Sequence, residues 1–198
     1  MIKTAKRRLI LGSTSKPRQA LLERLQIPFE IAAPHVDETP LVNETPQDLV
    51  LRLAEKKARV VSERFPDALI IGADQVGVLD NIIQGKPLTY DNAVQQLQAA
   101  SGKRMEFYIG LCLFDSREQH VQLAIEKYDV IYRKLSLPMI KNYLAKEQPL
   151  HCAGSCKAEG LGIALIEEFQ GKDFTALIGL PLISLVAMLE KAGLNPLG

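Results

Sequence analysis

The chain has 198 residues, of which 47% are hydrophobic, a share typical of a globular protein with a real core. Its 24 Lys and Arg residues balance 23 Asp and Glu residues to a formal net charge of +1, which leaves no overall field to attract a polyanion such as nucleic acid. Any recognition of phosphate must therefore come from a local cluster of charges. Neither a repeat nor a flexible linker divides the chain, so residues 1–198 are predicted to form one domain.

The first third of the chain alternates short apolar runs with helical patterns. A Ser-rich turn, Ser13–Ser15, follows the first apolar run, and Pro46 begins a long pattern of helical period. In chain order, the predicted elements are a strand at Leu9–Leu11, a helix at Lys16–Leu25, a strand at Phe29–Ala32 and a helix from Pro46 to about Arg64.

The rest of the chain mixes strands and helices in the same way. Leu69–Ile71 is a continuous apolar run ending at Asp74, as in a central strand buried on both faces, and Val76 and Val78 can extend it. The remaining predicted elements are a turn at Gly85–Pro87, a helix at Asp91–Ala100 capped by Thr89, strands at Phe107–Phe114 and Val121–Tyr132, a helix at Ser136–Lys146, a strand at Gly162–Phe169 and a helix at Pro181–Lys191. This order predicts an α/β fold with a mixed central sheet flanked by helices.

The turn Ser13–Ser15 is the first candidate for a phosphate site. The N-terminus of a helix offers unpaired backbone N–H groups and the positive end of the helix dipole, and serine hydroxyls add donors. Arg18 lies in the first helical turn, where its guanidinium can form a fork on a phosphate. Ordinary helix capping by a serine is the alternative.

Lys57 lies in the middle of the inward face of the predicted helix Pro46–Arg64. The apolar stripe of that helix centres close to the direction in which Lys57 points. An uncompensated buried ammonium is costly, so the Lys57 side chain must either meet an anion or extend outward along its stem. Both alternatives stay open at the level of sequence.

Asp74 is expected at the carboxyl end of a buried strand, where open α/β sheets place their ligand crevices. Asp37 and Glu38 lie in a polar loop that can reach it. Carboxylates converging there would suit Mg²⁺, which takes oxygen ligands and keeps waters and substrate phosphates in its shell. A turn aspartate that accepts backbone hydrogen bonds is the alternative.

Lys86 lies between Gly85 and Pro87, in a stiff turn that can present a point charge to a phosphate. A solvated turn lysine is the more common case. Together, the cations and acids of these loops form the set that phosphoryl chemistry requires.

Three cysteines in a chain of this size favour free thiols in a reducing compartment, so a cytoplasmic location is expected. Cys152 and Cys156, with His151, lack the second Cys/His pair that a zinc site needs. The most apolar stretch, Ala176–Leu189, is interrupted by Gly179 and Pro181 and is shorter than a membrane span, so no membrane association is expected.

These residues and their neighbours resemble the Maf family over nearly the whole chain and in the family's order. The blocks that carry the resemblance are Leu11–Leu22, Val36–Thr39, Leu53–Ala58, Ile71–Val76, Gly85–Leu88, Ala153–Gly160 and Ile178–Pro181. The resemblance implies a Maf/inosine triphosphatase-like architecture, two-lobed around a cleft. It also implies a hydrolase of nucleotide house-cleaning that cuts a nucleoside triphosphate into a monophosphate and pyrophosphate with a divalent metal, Mg²⁺ or Mn²⁺.

The resemblance also assigns roles to the candidate residues. Asp74 is implied as proton acceptor and metal ligand, and Glu38 as a second acidic metal ligand. Lys57 and Lys86 join them as catalytic residues, because with Ser13 and Arg18 they form the phosphate cradle. The substrate-binding residues are then Ser13, Pro17, Arg18, Gln75 and Glu159.

Gln75 and Glu159 are similar to the branch of the family that acts on 7-methyl-GTP, whereas the dTTP/UTP branch has Thr and Gln there. A carboxylate at Glu159 suits the N–H edge of a guanine or a positively charged methylated ring. Pro17 departs from the pattern, because the 7-methyl-GTP branch has a Trp at that place. The alternatives are a dTTP/UTP pyrophosphatase and a non-catalytic module that senses nucleotides. The expected partner is a small nucleotide and no nucleic acid, and both a monomer and a homodimer stay open.

Overall fold

The computed structural model describes residues 7–198, so the first six residues of the predicted domain lie outside the description. The chain divides into two compact units. The first unit contains the described residues up to Asp74 together with Ile109–Glu126 and Gly179–Gly198, and the second contains Gln75–Tyr108 and Lys127–Ile178.

The strands form one seven-stranded sheet in the order β2-β1-β3-β5-β6-β7, with β4 pairing with β3 outside this path. Strand β1 pairs in parallel with both β2 and β3, whereas the β3–β4 and β6–β7 pairs are antiparallel. The sheet is therefore mixed, as predicted. The strands are β1 Arg8–Leu11, β2 Glu30–Ile31, β3 Ala68–Leu79, β4 Ile82–Gln84, β5 Arg104–Asp115, β6 His120–Tyr132 and β7 Ile166–Gly171.

The helices begin at residues whose side chains favour a helix start. Thr45 and Thr89 each accept a hydrogen bond from the backbone N–H three residues later, and Ser136 does the same. With these helices on the sheet, the predicted fold class is confirmed. The helices are α1 Lys16–Glu23, α2 Pro46–Ser62, α3 Tyr90–Ala100, α4 Leu137–Glu147, α5 Phe174–Ile178 and α6 Leu182–Lys191.

Helix α2 packs on the sheet of the first unit at two glycines that have no room for a side chain. A Cβ on Gly72 would lie 2.1 Å from the carbonyl oxygen of Ala54, and one on Gly110 would lie 2.2 Å from that of Val50. Because both glycines expose bare backbone, α2 lies unusually close to β3 and β5. Side chains on its inward face therefore reach the strand residues directly.

Several details of the elements differ from the sequence prediction. Residues Asp80 and Asn81 both have positive φ and connect β3 to the unpredicted strand β4, because Asp and Asn tolerate the left-handed turn that a tight hairpin needs. The strand predicted at Gly162–Phe169 is wrong in its first half, since Leu161–Leu165 forms 3₁₀ turns before β7. The short helix α5 was also missed.

Within residues 7–198, no helix has both the length and the apolar character needed to cross a membrane.

Candidate functional site

The Lys57 side chain lies on the inward face of α2 and is almost fully buried, with 5% of the residue exposed. Its Nζ lies 2.5 Å from Oδ1 of Asp74 and 2.6 Å from Oε1 of Glu38. Of the two alternatives left open by the sequence, the ammonium therefore meets anions and does not extend into solvent. One buried cation thus joins the two carboxylates that the sequence analysis had placed near each other.

Asp74 lies on β3 three residues beyond Ile71, the last residue of that strand that pairs with β1. Strand β3 continues to Leu79, so the predicted extension through Val76 and Val78 is confirmed, whereas Asp74 lies within the strand and not at its carboxyl end. The neighbouring parallel strand β1 ends at Leu11, opposite Ile71, so Asp74 lies beyond the carboxyl end of β1. The turn-aspartate alternative does not apply to a residue in mid-strand.

Burial raises the pKa of the Asp74 carboxyl above its ordinary value of 3.8, and the nearby Lys57 ammonium and Arg18 guanidinium offset only part of this rise. The Glu38 carboxylate raises the pKa further. A carboxylate with a raised pKa is a better proton acceptor than an ordinary surface aspartate, which is the property that a general base requires.

Glu38 belongs to a loop that α2 holds in place through two basic residues absent from the sequence prediction. Arg52 makes a bidentate ion pair with Glu44 and donates from Nη2 to the carbonyl of Thr39, at 3.2 Å. Lys56 donates from Nζ to the carbonyl of Asp37, also at 3.2 Å. The hydrogen bond from Arg52 lowers the pKa of Glu44 to about 2. The sequence signal that could have identified Arg52 and Lys56 was the presence of these cations in α2 shortly after an acidic loop.

Asp37, the neighbour of Glu38, does not join Lys57. Its Oδ1 accepts hydrogen bonds from the hydroxyl and the backbone N–H of Thr39, at 2.7 and 3.0 Å, and these bonds hold the pKa of Asp37 below its ordinary value. Asp37 therefore shapes the loop, while the Glu38 side chain is half exposed at the open side of the cluster, with 53% of its surface accessible.

The turn before α1 places Ser13 at the start of the helix. Ser13 is 5% exposed, and its Oγ accepts a hydrogen bond from the backbone N–H of Ser15, at 3.2 Å. Within the described part of the chain, Ser15 makes no side-chain cap to α1, so ordinary serine capping does not account for this turn. Pro17, half-buried in the first turn of α1, has no N–H to donate, but it presets the backbone for a helix.

Arg18 is oriented by a backbone carbonyl. Its Nε donates to the carbonyl oxygen of Gly179, at 2.8 Å. Desolvation lowers the pKa of the Arg18 guanidinium below its ordinary value, and the negative charges of Asp74 and Glu38 oppose this effect. Arg18 therefore belongs to the same charged environment as the two carboxylates of the first unit.

In the second unit, Lys86 is exposed on a loop that is fixed by its backbone. The carbonyl oxygen of Gly85 accepts hydrogen bonds from the N–H of Gly154 and from Nε2 of Gln96, at 3.3 and 3.1 Å. Glu159 is exposed in the same unit. Burial, with a smaller contribution from Glu159, raises the pKa of the Cys152 thiol to about 11, and Lys86 opposes this rise, so both charged groups act on the same thiol.

Gln75 has a structural partner that the sequence prediction did not include. Its Nε2 donates to the carbonyl oxygen of Leu177 in α5, at 2.9 Å. One N–H of the Gln75 amide is therefore bonded to its own chain, and this bond orients the amide and leaves Oε1 and the second N–H of Nε2 for a ligand.

Asp74 and Glu38 fit a divalent metal whose remaining ligands come from the phosphates of a bound substrate and from water. Asp74 and Glu38 supply carboxylate oxygens, but no group of three or more His, Cys, Asp or Glu residues that could hold an ion is found among residues 7–198. Mg²⁺ is commonly held by one or two carboxylates with substrate phosphates and waters completing its octahedron. Within residues 7–198, Cys152 and Cys156 belong to no such group, and Cys112, Cys152 and Cys156 are free thiols, as predicted.

Comparison with known proteins then identifies the family. The description "Maf-like protein" matches residues 8–192, which covers both units and every candidate site residue. This chain belongs to the Maf-like protein family. Membership indicates a nucleotide pyrophosphatase-like function and hence a hydrolase of nucleotide metabolism.

Solved structures similar to this Maf-like chain share little of its sequence. The Ham1 protein of Staphylococcus aureus matches with 10% identity and a TM-score of 0.46, covering 65% of this chain and 73% of that one. Protein VC0702 from Vibrio cholerae matches with 10% identity and a TM-score of 0.40, covering 73% of this chain and 81% of that one.

Proposed function

We propose that this Maf-like protein is a nucleoside triphosphate pyrophosphatase with Asp74 as its general base and 7-methyl-GTP as its substrate. The observation that carries the proposal is the buried Lys57 ammonium bonded to both Asp74 and Glu38. A cation and two acids held together at the end of a parallel strand suit the binding and cleavage of a polyphosphate.

In this proposal Asp74 accepts a proton from the water that attacks the α-phosphorus. The raised pKa of Asp74 makes the carboxylate a stronger base, and Lys57 keeps it oriented by holding Oδ1. When a triphosphate binds, Lys57 shifts part of its interaction from the carboxylates to phosphate oxygens. Ser13 and Arg18 supply further donors at the start of α1, and Lys86 supplies a second lysine charge to the triphosphate.

Asp74 and Glu38 would also hold a divalent cation, Mg²⁺ or Mn²⁺, delivered with the nucleotide. When bound, the cation supplies charge neutralisation to the phosphate oxygens and lowers the pKa of bound water. Glu38 suits this role because its side chain is half exposed and lies in a loop, so its carboxylate would be accessible to a cation from solvent.

The choice of 7-methyl-GTP rests on Gln75 and Glu159. An exposed carboxylate at Glu159 is free to accept N–H donors of a guanine edge, and Oε1 of Gln75 is a second acceptor. With Pro17 in place of the tryptophan of that branch, base stacking would be weaker, so recognition would rely more on these acceptors. Preference for dTTP or UTP in a substrate panel is the competing outcome.

The deciding experiment measures pyrophosphate release from 7-methyl-GTP, dTTP, UTP, CTP, ATP and GTP with Mg²⁺, and again with chelator. The Asp74→Asn variant should lose turnover by roughly 100-fold to 10,000-fold, the usual contribution of a general base, while still binding nucleotide. Asp80→Asn serves as the matched control, because Asp80 is an exposed aspartate paired with Lys103. Wild-type turnover in Asp74→Asn would exclude the assignment.

A nucleotide-sensing module is the second candidate, since the same cradle would bind a triphosphate without cutting it. It predicts nucleotide binding with no metal-dependent release of pyrophosphate from any nucleotide in the panel.

We also propose a cytoplasmic location, because free thiols suit a reducing compartment. Light scattering during gel filtration distinguishes a monomer from a homodimer.

A further inference from the structure

The Arg18 side chain is held by one specific atom of the chain, the carbonyl oxygen of Gly179. The Nε–H of Arg18 donates to this oxygen at 2.8 Å, across a sequence separation of 161 residues. A guanidinium can meet a phosphate side-on, through Nε and one Nη, or end-on, through both Nη atoms. With Nε already occupied by Gly179, only the end-on approach remains open.

We propose that Gly179 is a positioning residue that fixes Arg18 for end-on recognition of a phosphate group. This inference rests on the proposed function and deepens it, because it states how a polyphosphate is gripped. A guanidinium fixed before binding loses less rotamer freedom when it meets the ligand. The carbonyl also replaces one of the water contacts that the desolvated guanidinium has lost.

Only glycine gives residue 179 its backbone conformation without strain. Its φ is +120°, a value that L-residues with a Cβ rarely adopt. Gly179 immediately follows α5, and Pro181 at the start of α6 restricts the chain after it. An alanine at position 179 would have to change φ, and this change would rotate the carbonyl away from Arg18.

The test is a double-mutant cycle with Arg18→Ala, Gly179→Ala and the double variant, read by calorimetric binding of inorganic tripolyphosphate and by kcat and KM for the best nucleotide. Loss of a hydrogen bond that orients a charged group predicts a fall of roughly 10-fold to 100-fold in affinity for Gly179→Ala. If Gly179 acts through Arg18, the double variant is no weaker than Arg18→Ala alone. Independent losses that multiply, or wild-type affinity in Gly179→Ala, overturn the proposal.

Gly193→Ala is the matched control for backbone strain. Gly193 also has positive φ, +78°, and a Cβ there would meet nothing within 4 Å. This variant should lower the melting temperature and leave tripolyphosphate affinity unchanged, so a loss of affinity in Gly179→Ala cannot be ascribed to strain alone. Equal affinity losses in the two alanine variants would contradict the positioning role.

Arg18→Lys gives an independent readout should Gly179→Ala fail to fold. A lysine ammonium keeps the charge, but it cannot remain bonded to Gly179 and present a two-pronged fork to a phosphate. We expect Arg18→Lys to bind tripolyphosphate with less than about a tenth of the wild-type affinity. Full recovery would overturn the proposal. A wild-type protein that binds tripolyphosphate but cuts no nucleotide would refute the proposed function and leave the positioning role standing.

Discussion

Lys57 and Asp74 form a buried ion pair in which each charge depends on the other. Their side chains are 6% and 10% exposed, whereas that of Glu38 is 53% exposed. Removal of one partner of a buried pair leaves an uncompensated charge, which is usually more costly than losing the attraction itself. A substitution at Lys57 or Asp74 is therefore expected to lower the stability of the protein as well as its proposed activity.

Replacement of Lys57 by methionine should destabilise the protein by about 3 kcal/mol at pH 7, because the Asp74 carboxylate would remain buried without its cation. The loss should shrink at lower pH, where Asp74 takes up a proton. Urea unfolding at pH 7 and pH 5 measures both effects. As a control, Lys103→Met breaks a surface pair with Asp80 and should cost at most about 1 kcal/mol. Equal losses for both variants would show that the pair is not buried in solution.

The raised pKa of Asp74 also predicts how stability depends on pH. The folded state binds this proton more tightly than the unfolded state, so the contribution of Asp74 is present below its ordinary pKa of 3.8 and is lost as the pH rises through the raised value. In that interval the free energy of unfolding of the wild type should fall relative to that of Asp74→Asn. Paired urea titrations across the acidic range measure the difference. Parallel curves for the two proteins would contradict the raised pKa.

At the scale of elements, the site depends on the close approach of α2 to β3. Lys57 reaches Asp74 because Gly72 brings the backbone of α2 near Ala54 and Ala58 onto the strand. Gly72→Ala should therefore destabilise the protein by roughly 1–3 kcal/mol through overpacking, and it should reduce nucleotide turnover by moving Lys57. Gly85→Ala, where a Cβ meets nothing within 4 Å, is the control for thermal stability. If Gly72→Ala has the free energy of unfolding of the wild type, α2 can move away from β3 without destabilising the protein.

The elements that could be predicted from the sequence are those with local signals. Pro46 at the start of α2 and the apolar run of β3 define those elements without any tertiary information. The chain at Leu161–Leu165 has equally apolar composition but forms 3₁₀ turns. A Cβ on Gly162 would lie 2.4 Å from the carbonyl oxygen of Lys157, a contact that only the folded chain reveals.

The candidate site was predictable to the same extent. Lys57 stood out because a cation on an inward helix face needs an anion, and Asp37, Glu38 and Asp74 were the acids expected near one another. The contacts that hold the site were not predictable, since the bonds from Arg18 to Gly179 and from Gln75 to Leu177 end on backbone carbonyls. Every residue carries such a carbonyl, so sequence contains no signal for which one is used.

At the scale of the whole molecule, the net charge of +1 means that affinity for a polyanionic nucleotide must come from a local cluster of charges, to which the proposed divalent metal would add. A non-hydrolysable triphosphate analogue with Mg²⁺ should stabilise the protein by about 2.7 kcal/mol at a concentration 100 times its dissociation constant. Chelator should remove most of this stabilisation, because Lys57 would then offset the negative charges of the triphosphate, Asp74 and Glu38 without the help of a metal. Thermal unfolding with the analogue, with and without chelator, measures the effect.

The nucleoside monophosphate with Mg²⁺ is the control for that experiment, since it lacks the pyrophosphate portion that Lys57 and the metal would share. It should give a much smaller shift in melting temperature. In Asp74→Asn the analogue should still stabilise the protein, but chelator should make less difference, because one of the two carboxylates proposed to hold the metal has lost its charge. If chelator changes the wild type and Asp74→Asn equally, the metal binds through the nucleotide alone and Asp74 acts only as a base.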